Sequence, residues 1–161
     1  MHYTKNDLPE PLRFEMVELL NRRVADNVDL LMQAKQAHWN VRGPAFRELH
    51  RLFDEVAEAS LEHVDLMAER LAQLGGHVLG TVRVAAKSSS LPEYPLEILL
   101  GRDHVEALSS ALAAFGKEIR RGIEVAAEAG DADTTDVLTE VSRGTDKLLW
   151  LVESHLEGRW S

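Results

Sequence analysis

The sequence predicts an all-α fold: a four-helix bundle whose second and third helices are joined by one long crossover. Three observations predict it. Apolar residues recur at three- and four-residue spacing over four long stretches. Short turns join the first stretch to the second and the third to the fourth. Residues 75–100 break the helical pattern with Gly75, Gly76, Gly80, the Ser88–Ser90 run, Pro92 and Pro95. The 161 residues read as one domain, 1–161, with a short N-terminal tail over about residues 1–10.

The first helix is expected from Leu12 to Trp39, with Val17, Leu20, Val24, Val28, Leu31 and Ala34 on one stripe and His38 at its end. Asn40 to Gly43 breaks the pattern, and Pro44 stands where a first helical residue tolerates proline. The second helix runs to Leu74, with Phe46, Leu49, Phe53, Val56, Met67 and Leu74 inward and Gly75-Gly76 as its stop. These two helices, roughly 28 and 31 residues, far exceed the average of about 11–12 and should pack antiparallel across their turn. A short extra helix is expected in the crossover near Pro95–Leu100. The third helix spans Asp103–Ala129, with Val105, Leu108, Leu112, Phe115, Ile119 and Ile123 inward and Gly130 at its end. The fourth begins near Asp133-Thr134 and reaches Glu157, carrying Val137, Val141, Leu148, Val152 and His155. Gly116, Gly122 and Gly144 weaken the later helices by about 1 kcal/mol each relative to alanine. Two antiparallel hairpins joined by one crossover make the ferritin-like topology. A plain structural bundle shares this pattern, so topology alone does not settle function.

Composition narrows the chemistry. Apolar residues make up 45% and charged residues 28%, as in globular proteins. With no cysteine, disulfides and thiolate metal sites are excluded. No apolar run reaches membrane-spanning length, and the N-terminus lacks a signal-peptide pattern, so the expected location is cytoplasmic. The net charge of −9 repels nucleic acid and attracts cations.

None of the seven histidines has Glu three residues before it, which argues against the usual di-iron motif inside the bundle. The zincin motif, the P-loop and the nucleophile elbow are also missing. The second helix instead carries His50, Asp54, Asp65 and Glu69 at helical angles of about 0°, 40°, 60° and 100°, beside its apolar face. His50 and Asp65 lie fifteen residues apart, about 22 Å along a straight helix, so they cannot share one metal within one chain. His38 can approach His50, because the first helix ends where the second begins. The other half of a site would then come from a second copy, and an antiparallel two-fold dimer would build two identical sites. Two histidines and two carboxylates suit iron(II), zinc or manganese. An Asp and a Glu four residues apart are also commonplace on a solvated helix face, and spacing alone leaves both readings open.

The segments Lys35-Gln36-Ala37-His38-Trp39-Asn40-Val41-Arg42-Gly43, then Arg47, His50 and Asp54, then Asp65-Leu66-Met67-Ala68-Glu69 through Gly75-Gly76, resemble the signatures of the Dps family, the ferritin-like mini-ferritins. Asp133-Thr134-Thr135-Asp136 through Asp146 to Trp150 resembles the C-terminal one, so the resemblance covers nearly the whole chain. It implies a hollow homododecamer of tetrahedral symmetry that oxidises Fe(II), preferably with hydrogen peroxide rather than O2, and stores ferric mineral, with no haem. It implies a ferroxidase centre of two irons between two-fold-related subunits, with His38 and His50 from one and Asp65 and Glu69 from the other. Asp54 would be an adjacent ligand or would orient His50. Asp133 and Asp136, and less clearly Asp131, match acids lining a three-fold pore through which iron passes; the N-cap of the fourth helix is the other role for Asp133 or Thr134. Trp39 and Trp150 match family tryptophans, either packing aromatics or relays for stray oxidising equivalents. Gly144 stands where relatives often carry an acid, a departure that bears on pore charge or helix stability. His63 is expected as a hydrogen-bonded core histidine, and His2, His77 and His104 are not assigned to metal.

Some relatives bind DNA through lysine-rich tails. Here residues 1–20 set Lys5 and Arg13 against Asp7, Glu10, Glu15 and Glu18, and the C-terminal Glu157–Ser161 offers one arginine. Weak or absent DNA binding is therefore expected. The competing readings are a nucleoid-associated protein whose main role is DNA binding, disfavoured by these tails, and a bundle that holds zinc or manganese without oxidising iron.

Overall fold

The computed structural model describes residues 1–157; residues 158–161, which contain the arginine of the C-terminal tail, lie outside the described residues. Long helices form where the apolar spacing predicts them: α1 (Glu10–Asn40), α2 (Phe46–Gln73), α4 (Gly101–Ala129) and α5 (Ala132–Glu153), with a 3₁₀ turn over Ser154–Leu156. α1 packs chiefly on α2 and α4 on α5; α1–α4 and α2–α5 contacts then join the two hairpins. The core between them is fully buried at Met16, Leu20, Leu49, Phe53, Met67, Leu108, Phe115 and Ile119. No helix among the described residues is long and apolar enough to cross a membrane.

The extra helix lies elsewhere than expected. α3 covers Val82–Ser88, where the Thr81 hydroxyl caps it by accepting from the Val84 N–H at 3.4 Å. Pro95–Leu100 holds only a turn at Leu96-Glu97 and then extends. Its backbone is used otherwise: the Arg42 N–H donates to the Leu99 carbonyl at 3.0 Å, and the Gly101 N–H donates to the Arg42 carbonyl at 3.1 Å. These bonds tie the α1–α2 turn to the start of α4. Pro44 lies within that turn, two residues before α2 begins, rather than at its first residue. Phe46, expected inward, is 42% exposed.

Three polar residues one and two turns apart on α1 hold the crossover. Asp26 accepts from the Ser90 N–H (2.7 Å) and hydroxyl (3.0 Å), Asp29 from the Ser89 hydroxyl (2.6 Å), and Gln33 donates to the Pro92 carbonyl (3.0 Å).

Gly144 now has a packing reason. A Cβ built there would lie 2.5 Å from Nε2 of His63, so α5 can pass the buried His63 ring only without a side chain. His63 is a core histidine as expected, with its ring set against the Gly144 backbone; burial pulls its pKa down against the opposing pull of Glu62 and Glu140.

The α4–α5 turn is closed by Gly130 in the left-handed conformation (φ 80°), its N–H returning to the carbonyls of Ala126 and Ala127. The next residue, Asp131, caps α5 in place of the expected Asp133 or Thr134. It is 2% exposed and accepts from the Thr134 N–H (3.0 Å) and hydroxyl (2.6 Å). Arg70 of α2 reaches in with Nη2 2.7 Å from Asp131 and Nε 3.0 Å from the Thr134 hydroxyl. Burial pushes the Asp131 carboxyl up, but the Thr134 hydrogen bonds and Arg70 together outweigh it and hold the group below the ordinary range. Its contribution is therefore complete above the ordinary carboxylate range and is lost as pH falls through the lowered native value. Asp131→Ala removes the cap and strands the Arg70 charge, so it should destabilise the fold by about 3–5 kcal/mol. A melting midpoint within experimental error of the parent would contradict this assignment.

Candidate metal centre

His38 and His50 face each other where α1 ends and α2 begins. Their rings stack at 3.7 Å between centroids with 20° between planes. Each ring also holds the other's backbone: His38 Nδ1 is 2.7 Å from the His50 carbonyl oxygen, and His50 Nδ1 is 2.8 Å from the His38 carbonyl oxygen. A carbonyl oxygen only accepts, so each Nδ1 must carry the proton. Both Nε2 atoms are then left as lone-pair donors, the form in which neutral imidazole binds a metal. The His38 carbonyl belongs to the last turn of α1, where backbone acceptors have no helical partner, so the bond from His50 also finishes that helix end. Phe46 flanks the pair, 5.1 Å from the His50 ring.

Asp54 stands beside the pair and is held by Lys35. Its Oδ1 lies 2.6 Å from Lys35 Nζ, and that hydrogen bond is the largest cause of its carboxyl lying below the ordinary range. The distance from Asp54 Oδ1 to His38 Nδ1 is 3.9 Å, too long for a hydrogen bond. The His50 Nδ1 is held by the His38 carbonyl at 2.8 Å. Lys35 also lies over the Trp39 ring at 5.7 Å.

Asp65 and Glu69 are exposed further along α2, on either side of the buried Met67. Among the described residues, no three histidine or carboxylate side chains gather where one ion could sit. The structure thus brings His38 and His50 together and leaves Asp65 and Glu69 apart from them. At the α4–α5 turn, the Asp133 side chain is 83% exposed and Asp136 is exposed. Asp131 departs from the expected trio, since its carboxylate is buried under Arg70 and Thr134. Trp39 and Trp150 are 54% and 61% exposed, so neither packs inside its own chain.

Sequence reasoning missed Arg70. Its signal was present: it falls three residues after Met67 and seven after His63, on the buried side of α2. The crossed imidazole–carbonyl bonds had no signal, because a backbone acceptor has no residue identity.

A ferritin-like domain model matches residues 17–158. The DNA protection during starvation protein of Agrobacterium fabrum is 39% identical over 156 residues, covering 97% of this chain and 96% of the relative. The chain belongs to the Dps family. Among solved Dps structures, that of Microbacterium arborescens in the high iron form is 30% identical, with a TM-score of 0.87 over 94% of this chain and 98% of its own. DpsC of Streptomyces coelicolor, also 30% identical, superposes with a TM-score of 0.92 over 98% of this chain and 92% of its own. The Dps assignment covers the entire bundle, crossover included.

Lys35→Met should raise the Asp54 carboxyl pKa toward its ordinary value. Infrared titration of isotope-labelled aspartate reads this; an unchanged titration would mean that the 2.6 Å contact is not what holds Asp54 low.

Proposed function

We propose that the protein oxidises Fe(II) and stores the ferric product, using sites that two copies of the chain build together. His38 and His50 come from one copy, Asp65 and Glu69 from the other. The observation that carries this reading is the crossed anchoring of His38 and His50, which stacks the two rings and leaves the Nε2 of each free of the backbone bond made by its Nδ1. An imidazole whose other nitrogen is fixed by a hydrogen bond is the usual metal-binding arrangement. Imidazole and carboxylate ligands suit Fe(II), the substrate of the reaction, and each centre takes two such ions.

One chain cannot complete the site, since Asp65 lies about 22 Å from His50 along α2. A two-fold pairing in which α2 runs antiparallel to its copy supplies the missing carboxylates twice over. Met32, Trp39, Phe46 and Leu61, all exposed on α1 and α2, supply apolar surface for such a seam. The pairing extends to a hollow homododecamer. Asp133 and Asp136 border the pore through which Fe(II) arrives, where symmetry-repeated carboxylates concentrate cations. Asp54, paired with Lys35, stands beside this set as an adjacent ligand or an orienting carboxylate.

Hydrogen peroxide is the preferred oxidant, ahead of O2. Reducing one peroxide with two Fe(II) ions consumes both oxidising equivalents and so suppresses hydroxyl-radical formation. The relative solved in a high iron form supports iron as the metal. The protein works in the cytoplasm, and DNA binding is not its main role, because the N-terminal tail is acidic.

Anaerobic Fe(II) titration followed by peroxide tests the site. About two Fe(II) per centre should be oxidised rapidly; His50→Ala with Asp65→Ala should lower the rate at least about a hundredfold, the scale of losing a metal-site residue. Asp54→Asn should lower it by about 10–100-fold, the scale for a group that orients a metal ligand. Unchanged kinetics in the double variant, or a native mass of one 18.0 kDa chain instead of twelve, would sink the proposal. Gel shifts should show little DNA retention near physiological salt; strong retention there would favour the nucleoid reading.

A further inference from the structure

Tyr94, in the crossover, meets His104, in the first turn of α4. Tyr94 Oη and His104 Nδ1 are 2.6 Å apart, and the two residues are 8% and 1% exposed. Protons can be assigned by what each choice leaves unbonded. His104 Nε2 is buried without a partner. Were Nδ1 the proton carrier, the Tyr94 hydroxyl hydrogen and the Nε2 lone pair would both go unused in the interior. With Tyr94 donating to Nδ1, only the Nε2–H is left over, so Tyr94 is the donor. Burial pushes the Tyr94 hydroxyl far above the ordinary tyrosine range. Burial also pulls His104 down, with Asp103 opposing and Arg42 adding to it. The resting pair is a neutral phenol bonded to a neutral imidazole.

A buried neutral phenol gives up an electron readily only if its proton leaves too, and here the acceptor is already in place. After transfer, the same hydrogen bond persists with its roles reversed, Nδ1–H donating to the phenoxyl oxygen. The pair also connects to the candidate centre. The His104 ring lies 6.4 Å from that of Phe53, which is three residues, about one helical turn, from His50.

We propose that Tyr94 and His104 form a proton-coupled redox pair that quenches hydroxyl radical formed when a lone Fe(II), without its partner ion, meets hydrogen peroxide at the seam. This rests on the iron reading above. Tyr94–OH, His104 and the hydroxyl radical give the Tyr94 phenoxyl radical, protonated His104 and hydroxide. The phenol O–H bond breaks, an N–H bond forms at Nδ1, and one electron passes to the oxidant. The next Fe(II) resets the pair: phenoxyl radical, protonated His104 and Fe(II) return Tyr94–OH, neutral His104 and Fe(III).

The test begins without iron. The chain has two tyrosines, and the other, Tyr3, is 85% exposed. The iron-free protein is flashed with a ruthenium tris-bipyridyl photo-oxidant at neutral pH, and tyrosyl radical is read by electron paramagnetic resonance. Line narrowing with ring-deuterated tyrosine identifies it. Tyr3→Phe should keep a radical signal that Tyr94→Phe loses. His104→Gln keeps a side chain able to accept the hydroxyl hydrogen but is no base, and should slow radical formation about a hundredfold. Slower oxidation in heavy water, read on the parent protein, needs no variant of His104. Absence of a tyrosyl signal from Tyr3→Phe, or Tyr94 oxidation indifferent both to His104→Gln and to heavy water, overturns the pair. Fe(II) and peroxide are then added to Tyr3→Phe. Iron oxidised with the same radical supports the link, and iron oxidised without it overturns the link. Iron left unoxidised sinks the seam reading and the link together, while the photochemical arm still decides the pair.

Discussion

The candidate centre depends on two hydrogen bonds, each given by one histidine ring to the backbone of the other helix. Each is worth about 1 kcal/mol to the fold, but their geometric effect is larger. They fix both tautomers, hold the rings in a stack and define how α2 leaves the α1–α2 turn. A side-chain acceptor could move with its own rotamers. A helix carbonyl cannot, so the imidazoles inherit the rigidity of two long helices. The short ladder between Arg42 and Leu99–Gly101 braces the same end from the α4 side. The His38–His50 half of the proposed site is thereby set by secondary structure.

The far end of α2 is organised on a different principle. There a buried arginine meets a buried aspartate, and the pair links α2 to the cap of α5. A buried ion pair is a weak source of net stability but strongly penalises any arrangement that separates its partners. It fixes where the α4–α5 turn meets α2, and Arg70 also comes within 3.6 Å of the exposed Asp133. Two neighbouring aspartates thus have opposite fates: Asp131 is used up inside the fold, and Asp133 is turned to solvent.

Much of this was legible in the sequence. Apolar periodicity placed the four long helices, because each buries one stripe along its whole length. Helix rise ruled out a single-chain site before any coordinates, because distance along a rigid helix follows from counting. What failed was local. Pro95–Leu100 resembled a helix start, yet its backbone groups bond to Arg42, a partner remote in sequence. Gly144 read as a weak point in α5, but the reason for it is His63 on another helix. Asp131 read as one acid among several until Arg70 was seen to bury it. In each case the deciding partner lies on a different element, where periodicity carries no information. The expectations of iron, peroxide and a cage came from the family signatures, and the structure adds a 2.6 Å contact between Asp54 and Lys35 that no spacing pattern indicates.

The attachment of the crossover to α1 has a consequence for assembly. Ser89, Ser90 and Pro92 are fastened to Asp29, Asp26 and Gln33, so the connection folds back onto the hairpin it has just left. A free connection of this length could deliver the α4–α5 hairpin to a neighbouring chain almost as easily as to its own, since closure entropy grows only slowly with loop length. Fastening it to α1 reduces that freedom. In any crowded shell of identical copies, such fastening favours each chain completing its own bundle, with three side chains of α1 opposing exchange of hairpins between neighbours.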